Sequence, residues 1–304
     1  MDISNTKTSI INTKDISGKL VSQTIKKELL ERVKILKQNY SIVPGLAAVL
    51  VGDRKDSQTY VRMKCRTCSE LGIYSITIRL SDTCSEQELI KNIKELNTNS
   101  KIHGILIQLP LPKHIDEGKV LQTVSPKKDV DGFLYSSLGR LAVREKPLFV
   151  PCTPEGCIAL LDYYSIPIEG KNAVVIGRSK IVGTPIALLL LERNATVTIC
   201  HSRTVDIKSI TKDADIIIAC CGMAQMVKND WVKKGVNIID VGINAIDDSS
   251  KKRGYRLVGD VDYKDVQGKA NMITPVPGGV GPMTIAILMK HTVEAAESFA
   301  YCNQ

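Results

Sequence analysis

The stretch "AVVIGRSKIVGTPIALLL" (Ala173–Leu190) joins an apolar strand pattern, a turn and an apolar helix pattern. Gly177 ends the predicted strand and Gly183 opens the predicted helix. In α/β proteins such a turn points backbone N–H groups and a helix N-terminus at the pyrophosphate of a dinucleotide. The spacing departs from G-x-G-x-x-G, because Arg178 and Ser179 occupy the middle of the turn, and glycine is common at any strand-to-helix turn. The place of the turn within a strand–helix series favours a nucleotide site over an ordinary turn.

The chain after this stretch continues with short runs rich in Val and Ile. They are "ATVTICHS" (Ala195–Ser202), "ADIIIACCG" (Ala214–Gly222) and "GVNIIDVGIN" (Gly235–Asn244). These runs lack polar alternation, which is typical of parallel strands buried on both faces. We therefore predict a Rossmann-like domain with a parallel sheet over residues 151–279.

A second strand–helix series precedes the opening stretch. The predicted strands are "GLAAVLVG" (Gly45–Gly52), "IYSITIRL" (Ile73–Leu80) and "IHGILIQLPLP" (Ile102–Pro112), and the predicted helices are Ser57–Leu71, ended by Gly72, and Cys84–Asn97, capped by Ser85. A change of pattern at "FVPCTP" places a domain boundary near Val150. The predicted fold class is α/β with two domains and a cleft between them. The N-terminal α/β domain covers residues 1–150 and is completed by a C-terminal helix over residues 280–304.

The composition is that of an ordinary globular chain, with 304 residues, 43% of them hydrophobic and 24% charged. The net charge is +9, but the basic residues are dispersed among acidic ones and aromatic residues make up only 4%. A platform for stacking nucleic-acid bases is therefore hard to assemble, and anionic small ligands are the favoured partners. No apolar run approaches the length of a membrane span, so we expect no membrane partner.

The N-terminus and the cysteines favour a cytoplasmic protein. "MDISNTKTSIINTKD" has no apolar core and is not a secretory signal, while Asp2, Asp15 and the lack of Arg disfavour a mitochondrial presequence, the remaining alternative. We expect the first dozen residues to form a loose polar tail. The nine cysteines are scattered, and Cys65 and Cys68 form a C-x-x-C without a second pair or a nearby His. We expect reduced thiols and no metal site.

The residues after the second strand of the Rossmann-like domain select the cofactor. In NAD enzymes this strand usually ends in Asp or Glu, which binds the ribose 2′-hydroxyl. Here it ends in "CHSRT" (Cys200–Thr204), and the next carboxylate is Asp206. Arg178 and Ser202 would instead donate hydrogen bonds to a 2′-phosphate. This pattern predicts NADP, with the alternative that Arg178 and Arg203 are solvated surface charges.

Tyr60 and Lys64, in "DSQTYVRMKC" (Asp56–Cys65), have the Tyr-x-x-x-Lys spacing of short-chain dehydrogenases. Residues four apart share one helical face, so the ring and the amine point the same way. In short-chain dehydrogenases the pair follows the nucleotide turn within a single domain. Here it lies far ahead of the turn, in another predicted domain, which excludes that class. An ordinary amphipathic helix with an exposed lysine is the simpler alternative.

Other stretches also carry candidate ligand groups. Gln108 ends the third predicted strand, at the ligand edge of a parallel sheet. Asp129 and Asp131 follow in the loop "KKDVDGF". The segment "PVPGGVGPMT" (Pro275–Thr284) is a Gly-rich loop that lets a ligand approach the backbone closely.

Taken together, these stretches resemble the bifunctional methylenetetrahydrofolate dehydrogenase/methenyltetrahydrofolate cyclohydrolase family. The matching segments, in the family's order, are "TYVRMK", "GILIQLPLP", "PKKDVDGF", "PCTPEGC", "GRSKIVGTP", "CHSRT", "DVGIN", "GDVD" and "ITPVPGGVGPMT". They span the chain from about Gly45 to Leu288, so the joint match is specific although some single motifs are weak. The departures are the N-terminal tail and the polar insert "AIDDSSKKRGYR" (Ala245–Arg256), which we expect to be hairpin-like. We expect no fused formyltetrahydrofolate synthetase domain.

The resemblance implies two reactions of one-carbon metabolism, which supplies purine biosynthesis. In the first, 5,10-methylenetetrahydrofolate gives a hydride to NADP and becomes the 5,10-methenyl cation. In the second, water adds to that cation and opens the ring to 10-formyltetrahydrofolate. The resemblance further implies that residues 1–150 bind folate, that residues 151–279 bind NADP, and that the protein is a homodimer.

The resemblance also assigns individual residues. Lys64 is the catalytic group and Gln108 orients it, while Tyr60 stacks on the aminobenzoate ring and Asp131 holds the pterin edge. The implied folate-binding residues further include Ile107, Leu109, Pro277, Gly278, Gly279, Val280 and Gly281, and the implied NADP-binding residues are Gly177, Arg178, Ser179, Ser202 and Ile243. Hydride loss is assisted by a nitrogen lone pair of the folate, so the step that needs an acid/base group is hydration of the cation.

Other functions fit part of the sequence. A regulator that senses folate or NADP without catalysis is disfavoured, because every motif residue of the family is present. A dehydrogenase without hydrolytic activity is disfavoured as well, because only the second reaction has an obvious need for Lys64 and Gln108.

Overall fold

The structure, a computed structural model, describes residues 12–251 and 254–302. The strands are β1 (Lys14–Asp15), β2 (Gly45–Val51), β3 (Tyr74–Leu80), β4 (Gly104–Ile107), β5 (Asn172–Ile176), β6 (Thr196–Cys200), β7 (Ile216–Ala219), β8 (Asn237–Asp240), β9 (Asn244–Asp247), β10 (Tyr255–Val258) and β11 (Met272–Ile273). The α-helices are α1 (Gly18–Tyr40), α2 (Lys55–Leu71), α3 (Glu86–Thr98), α4 (Glu117–Leu121), α5 (Tyr135–Ala142), α6 (Cys152–Tyr163), α7 (Gly183–Glu192), α8 (Ile207–Thr211), α9 (Tyr263–Val266) and α10 (Val280–Cys302). The expected polar tail lies outside the described residues.

These elements form two units. The first unit contains Leu20–Gly156 and residues 282–302, so α10 rejoins the N-terminal part of the chain. The second unit contains residues 12–19 and Cys157–Gly281. The predicted α/β class with a parallel sheet is confirmed.

The first unit is built on a parallel sheet of order β3-β2-β4. Every residue of β2 is buried, because alternate side chains enter different cores. On one face Leu46 and Leu50 pack in a cluster that includes Leu288 of α10. On the other face Val49 packs in a cluster that includes Leu89 of α3. Burial on both faces explains why this strand reads as an unbroken apolar run.

The helix ends of the first unit follow from local sequence. Ser85 precedes α3, and its hydroxyl accepts the N–H of Glu88 at 3.1 Å, which confirms the predicted N-cap. Gly72 ends α2 in the left-handed region, with φ of 72°. Its N–H returns to the carbonyls of the last turn, as expected for a glycine C-cap.

The second unit is built on a parallel sheet of order β1-β11-β8-β7-β5-β6. The predicted burial on both faces holds for β7, all of whose residues are buried. It is wrong for β6, whose residues are mostly exposed, because β6 is an edge strand of this sheet. The insert after β8 forms the antiparallel hairpin β9–β10, as expected, although residues 252–253 lie outside the described part.

The third predicted strand, Ile102–Pro112, is shorter in the structure. Pairing stops at Ile107, where β4 leaves its register with β2, and the following Pro110 and Pro112 have no N–H to extend the ladder. Gln108 is therefore the first residue beyond the carboxyl end of β4. Its own N–H still donates to the Val49 carbonyl at 2.9 Å, which anchors it to the sheet.

Candidate active site

Lys64 and Gln108 are brought together in the first unit. Lys64 lies on α2 with only 9% of its surface exposed. Its Nζ donates to Oε1 of Gln108 at 3.1 Å. The Nε2 of Gln108 donates to the Leu109 carbonyl at 2.9 Å, so the amide oxygen is turned toward the amine. The contact joins α2 to the end of β4 through an uncharged partner.

Tyr60 lies one turn before Lys64 on α2 and is half-buried. Burial, helped by the nearby Asp56 carboxylate, raises the pKa of the Tyr60 phenol. The ring therefore stays a neutral phenol at physiological pH. A neutral, half-buried ring suits stacking on a flat ligand better than it suits proton abstraction.

Asp131 is buried and interacts electrostatically with the amine of Lys64. Burial raises the pKa of the Asp131 carboxyl, while the charge of Lys64 and a hydrogen bond with the Cys152 thiol act in the opposite direction. Only 7% of Asp131 is exposed. A cation, a carboxyl group and an amide are thus gathered at one place, although they come from α2, the loop after the Pro126–Lys128 turn and the end of β4.

Asp129 differs from Asp131 in its partners. It accepts the N–H groups of Phe133 at 3.1 Å and Leu134 at 2.9 Å. Burial raises the pKa of Asp129 to about 7, against these donors. Gly132, between Asp131 and Phe133, has φ of 71°, and a Cβ there would lie 2.6 Å from the Val150 carbonyl carbon. Asp129 therefore shapes the loop, and Asp131 is the carboxyl group next to the amine.

The predicted NADP-binding residues of the second unit follow the carboxyl ends of its parallel strands. Gly177 to Ser179 follow β5, Ser202 follows β6 and Ile243 follows β8. Because these strands run parallel in one sheet, their carboxyl ends share one edge. The side chains of Arg178, Ser179 and Ser202 are exposed, and Ile243 is 44% exposed, so all are open to a ligand.

The turn after β5 is packed tightly, and its glycines are required by close backbone contacts. Gly177 has φ of 129°, and a Cβ on it would lie 2.4 Å from the Cys220 carbonyl oxygen. A Cβ on Gly183 would lie 2.4 Å from the Gly177 carbonyl oxygen. Ser179 Oγ accepts the N–H groups of Val182 and Gly183 at 3.2 and 3.3 Å, which holds the turn against the start of α7. The residues present fit a dinucleotide, since the turn is tight and the adjacent Arg178 is an exposed cationic side chain.

Asp240 and Asp260 form a buried carboxylate network at the same edge, and neither residue was expected from the sequence to have a role. Asp240 accepts backbone N–H groups from Gly242, Asp260 and Val261 at 2.9 to 3.0 Å. Asp260 accepts those of Cys221 at 2.7 Å and Gly222 at 2.9 Å. The network ties together the loops that follow β7, β8 and β10. The sequence could have indicated this network, because "DVGIN" and "GDVD" each place an aspartate beside apolar residues. A buried carboxylate needs hydrogen-bond donors.

The Gly-rich loop that contains Pro277–Gly281 follows β11 and also belongs to the second unit. Gly278 has φ of 118°, which favours glycine. A Cβ on Gly279 would lie 2.6 Å from Cβ of Thr274. The Val276–Pro277 peptide bond is cis. Val280 begins α10, so this loop leads directly into the helix that completes the first unit.

Some classes of site are absent from the described residues. Within residues 12–251 and 254–302, no three His, Cys, Asp or Glu side chains are grouped to hold a metal ion. None of the described helices combines the length and apolar character needed to cross a membrane.

Comparisons with known proteins agree with this arrangement. Residues 16–131 match the catalytic domain of tetrahydrofolate dehydrogenase/cyclohydrolase, and residues 151–300 match its NAD(P)-binding domain. The bifunctional protein FolD 2 of Arabidopsis thaliana is 53% identical over 285 residues, which are 93% of this chain and 95% of that protein.

Solved structures show the same likeness. The bifunctional FolD enzyme of Campylobacter jejuni is 44% identical, with a TM-score of 0.90 over 94% of this chain and 99% of that one. FolD of Trypanosoma brucei, solved with NADP and an inhibitor, is 40% identical, with a TM-score of 0.91 over 94% of this chain and 98% of that one. This chain belongs to the tetrahydrofolate dehydrogenase/cyclohydrolase family.

Proposed function

We propose that this protein oxidises 5,10-methylenetetrahydrofolate to 5,10-methenyltetrahydrofolate with NADP and hydrolyses the product to 10-formyltetrahydrofolate. The observation that carries the proposal is the partly buried hydrogen bond between Lys64 and Gln108, whose amine also interacts electrostatically with the buried Asp131. Hydration of a cation needs a group that moves protons between water and a ring nitrogen. A desolvated amine held by a neutral amide supplies such a group, and a formyl donor such as the product serves purine biosynthesis.

The residues of the first unit divide the work. Tyr60 offers a ring face to the aminobenzoate group, and Asp131 accepts hydrogen bonds from the pterin edge. The Lys64 ammonium gives a proton to the ring nitrogen that leaves during hydrolysis, and the resulting amine takes one from the added water. Gln108 holds the amine in place for both transfers. Ile107 and Leu109 flank Gln108, and with Pro277, Gly278, Gly279, Val280 and Gly281 they complete the proposed folate contacts.

The second unit holds the cofactor. Bound NADP would supply the hydride acceptor for oxidation of the methylene carbon. Gly177, Ser179 and Ile243 line the edge of the sheet on which the dinucleotide would lie, and Arg178 and Ser202 would donate to its 2′-phosphate. We assign the folate-binding domain to residues 1–150, completed by 280–304, and the NADP-binding domain to residues 151–279.

The edge strand β6 supports assembly as a homodimer. Within residues 12–251 and 254–302, β6 pairs on one side only, with β5. Ile199 on β6 is 40% exposed, and Leu191 on the adjacent α7 is 52% exposed. A sheet edge with exposed apolar side chains is a template for pairing with another strand. We expect a dimer by sedimentation velocity and a monomer for Ile199→Lys, whereas an unchanged dimer in that variant would place the interface elsewhere.

A reducing compartment, the cytoplasm, is the proposed location. The cysteines whose side chains the structure describes are free thiols, including Cys65 and Cys68 of the C-x-x-C. Burial raises the pKa of the Cys68 thiol to about 12, so it is an unreactive thiol at physiological pH.

The experiment that tests the proposed function separates its two steps. We expect Lys64→Met to lower cyclohydrolase activity by roughly 100-fold or more, the usual contribution of a positioned acid/base group, and to lower dehydrogenase activity much less. The exposed Arg62, two positions away on α2, offers a matched control, and Arg62→Met should leave both rates unchanged. Equal residual rates for both steps in Lys64→Met would show that the amine is not the hydrolytic acid/base group.

A further inference from the structure

His291 is a buried histidine whose ring nitrogens both face hydrogen-bond acceptors. It lies on α10 and is 2% exposed. Its Nδ1 is 2.8 Å from the Val130 carbonyl oxygen, and its Nε2 is 2.8 Å from Oε2 of Glu155. A carbonyl oxygen can only accept, so Nδ1 must carry a proton.

The second ring nitrogen also carries a proton, because Glu155 is ionised. Burial opposes the charge of Glu155, but His291 and Lys290 outweigh it and lower its pKa to about 2. Oε1 of Glu155 accepts from the Lys290 ammonium at 2.7 Å, which leaves Oε2 to accept from His291. With both nitrogens donating, the ring is an imidazolium.

The surroundings of His291 contain charges of both signs. The acidic groups are Glu155 on α6, Glu294 on α10, and Asp129 and Asp131 on the loop before α5. The cations are Lys290 on α10, Arg32 on α1, which faces Glu294 and Glu297, and Lys64 on α2 near Asp131. The neutral ring of Phe149 lies 5.1 Å from the imidazole ring, centroid to centroid. Burial opposes the charge of the ring, but hydrogen bonds to Glu155 and the Val130 carbonyl and the charge of Glu294 outweigh it and raise the pKa of His291.

This imidazolium is linked to the folate-binding carboxyl group by a short path. Val130, whose carbonyl accepts from Nδ1, is the residue before Asp131. The same carbonyl accepts from the Cys152 thiol at 3.1 Å, and that thiol also interacts with Asp131. The Nδ1 of His291 is 3.7 Å from the Cys152 sulfur. The ring therefore fixes the loop through the Val130 carbonyl. Its charge lowers the pKa of Asp131, against the larger increase that burial causes.

We propose that His291 is a positioning residue, a permanently protonated imidazolium that fixes the Val130 carbonyl and with it the loop that presents Asp131 to the folate. The inference rests on the proposed function, since it gives a reason for the position of a residue assigned to substrate binding. His291 touches no reacting atom and acts only through Val130 and Asp131.

The test begins with the unaltered protein. The chain contains four histidines, so the ring-nitrogen signals of a protein labelled with ¹⁵N-histidine are readily assigned. We expect both nitrogens of His291 to show the shifts of a protonated imidazolium from about pH 6 to about pH 8, where an ordinary histidine loses its proton. A His291 signal that titrates like a free histidine overturns the inference whether or not any variant folds.

Kinetics of two variants give the second arm. His291→Asn keeps a donor near the Val130 carbonyl but removes the charge, and we expect at least a tenfold rise in KM for the folate, a small change in kcat, and a shift of the acidic limb of kcat/KM to higher pH. His114→Asn, at an exposed histidine of the same unit, is the control and should change none of these. An unchanged KM and pH profile in His291→Asn overturns the inference. Failure of the unaltered enzyme to turn over folate would instead contradict the proposed function, and the nitrogen shifts would still decide whether His291 is permanently protonated.

Discussion

At the scale of single residues, the same side-chain types play different roles according to their partners. Asp129 spends both carboxylate oxygens on backbone N–H groups of its own loop, whereas Asp131 faces the amine of Lys64. The sequence places both residues in one loop but does not distinguish them, because backbone donors are not visible in a list of residues. Helix spacing predicts that Tyr60 and Lys64 share one face, and the strand end places Gln108 at the ligand edge of the sheet, but only the family resemblance implies that Lys64 and Gln108 meet.

Arg178 carries the prediction that belongs to this scale. We expect Arg178→Ala to reduce the preference for NADP over NAD by about 10-fold or more, because a charge-assisted hydrogen bond to phosphate contributes about 1.5–3 kcal/mol. The ratio of kcat/KM for the two cofactors measures this effect. Lys212→Ala, which removes an exposed cation at the end of α8, is the control for net charge. A ratio that does not change in Arg178→Ala refutes the role given to that residue.

At the scale of elements, local signals predict where helices begin and end better than they predict which strands are exposed. The ends of α2 and α3 were expected from Gly72 and Ser85, because caps depend on nearby residues only. The exposure of β6 was not expected, since an edge position depends on the order of strands in the sheet. The two-residue strand β1 was also missed, because it exists only through its pairing with the distant β11.

The glycine that ends α2 carries the element-scale prediction. We expect Gly72→Ala to lower the free energy of unfolding by about 1 kcal/mol, because alanine is strained in the left-handed region. The nearest atom to an added Cβ is Cγ1 of Val33 at 3.7 Å, so the loss would come from strain and not from a clash. Chemical denaturation measures the change.

Gly139 provides the matched comparison for Gly72. It lies inside α5 with nothing within 4 Å of an added Cβ. Gly139→Ala should therefore raise the free energy of unfolding by about 0.5–1 kcal/mol, through helix propensity alone. If both substitutions shift stability in the same direction, the backbone argument for Gly72 is wrong.

At the scale of the whole molecule, burial sets the pH dependence of stability. His103 is 5% exposed, and its Nδ1 accepts the N–H of Gly45 at 3.0 Å. Burial, with a smaller effect of Lys128, lowers the pKa of His103 from 6.5 to about 4. Since the folded pKa lies below the unfolded one, the unfolded chain takes up the proton first, and stability falls as the pH drops from about 6.5 toward 4.

His103→Asn tests this dependence, because asparagine retains an acceptor for Gly45 but does not titrate. Between about pH 7 and about pH 5 we expect the variant to lose about 1–2 kcal/mol less stability than the unaltered protein, after allowance for partial solvent screening. Urea denaturation at both pH values measures the difference. His114→Asn, at an exposed position, should behave like the unaltered protein, and a His103→Asn variant with the same pH dependence would contradict the role given to this histidine.

The arrangement of the whole chain marks the limit of prediction from sequence. The α/β class and the nucleotide turn follow from periodicity and spacing, whereas the Lys64–Gln108 pair and the roles of the site residues come from the family resemblance. The networks around His291 and Asp240 do not follow, because each joins residues that are distant in the chain and lie in different elements. Such networks depend on how distant parts of the chain pack together, which residue types and spacing do not specify.

The most direct test of the central claim is a time course of methenyltetrahydrofolate. Purified protein is mixed with 5,10-methylenetetrahydrofolate and NADP, and absorbance of the methenyl species is followed together with chromatography of the products. We predict that the methenyl species rises transiently and decays, with 10-formyltetrahydrofolate as the final product. A stable rise without decay would show a dehydrogenase that lacks the hydrolytic step assigned to Lys64, and no signal with no product would contradict both activities.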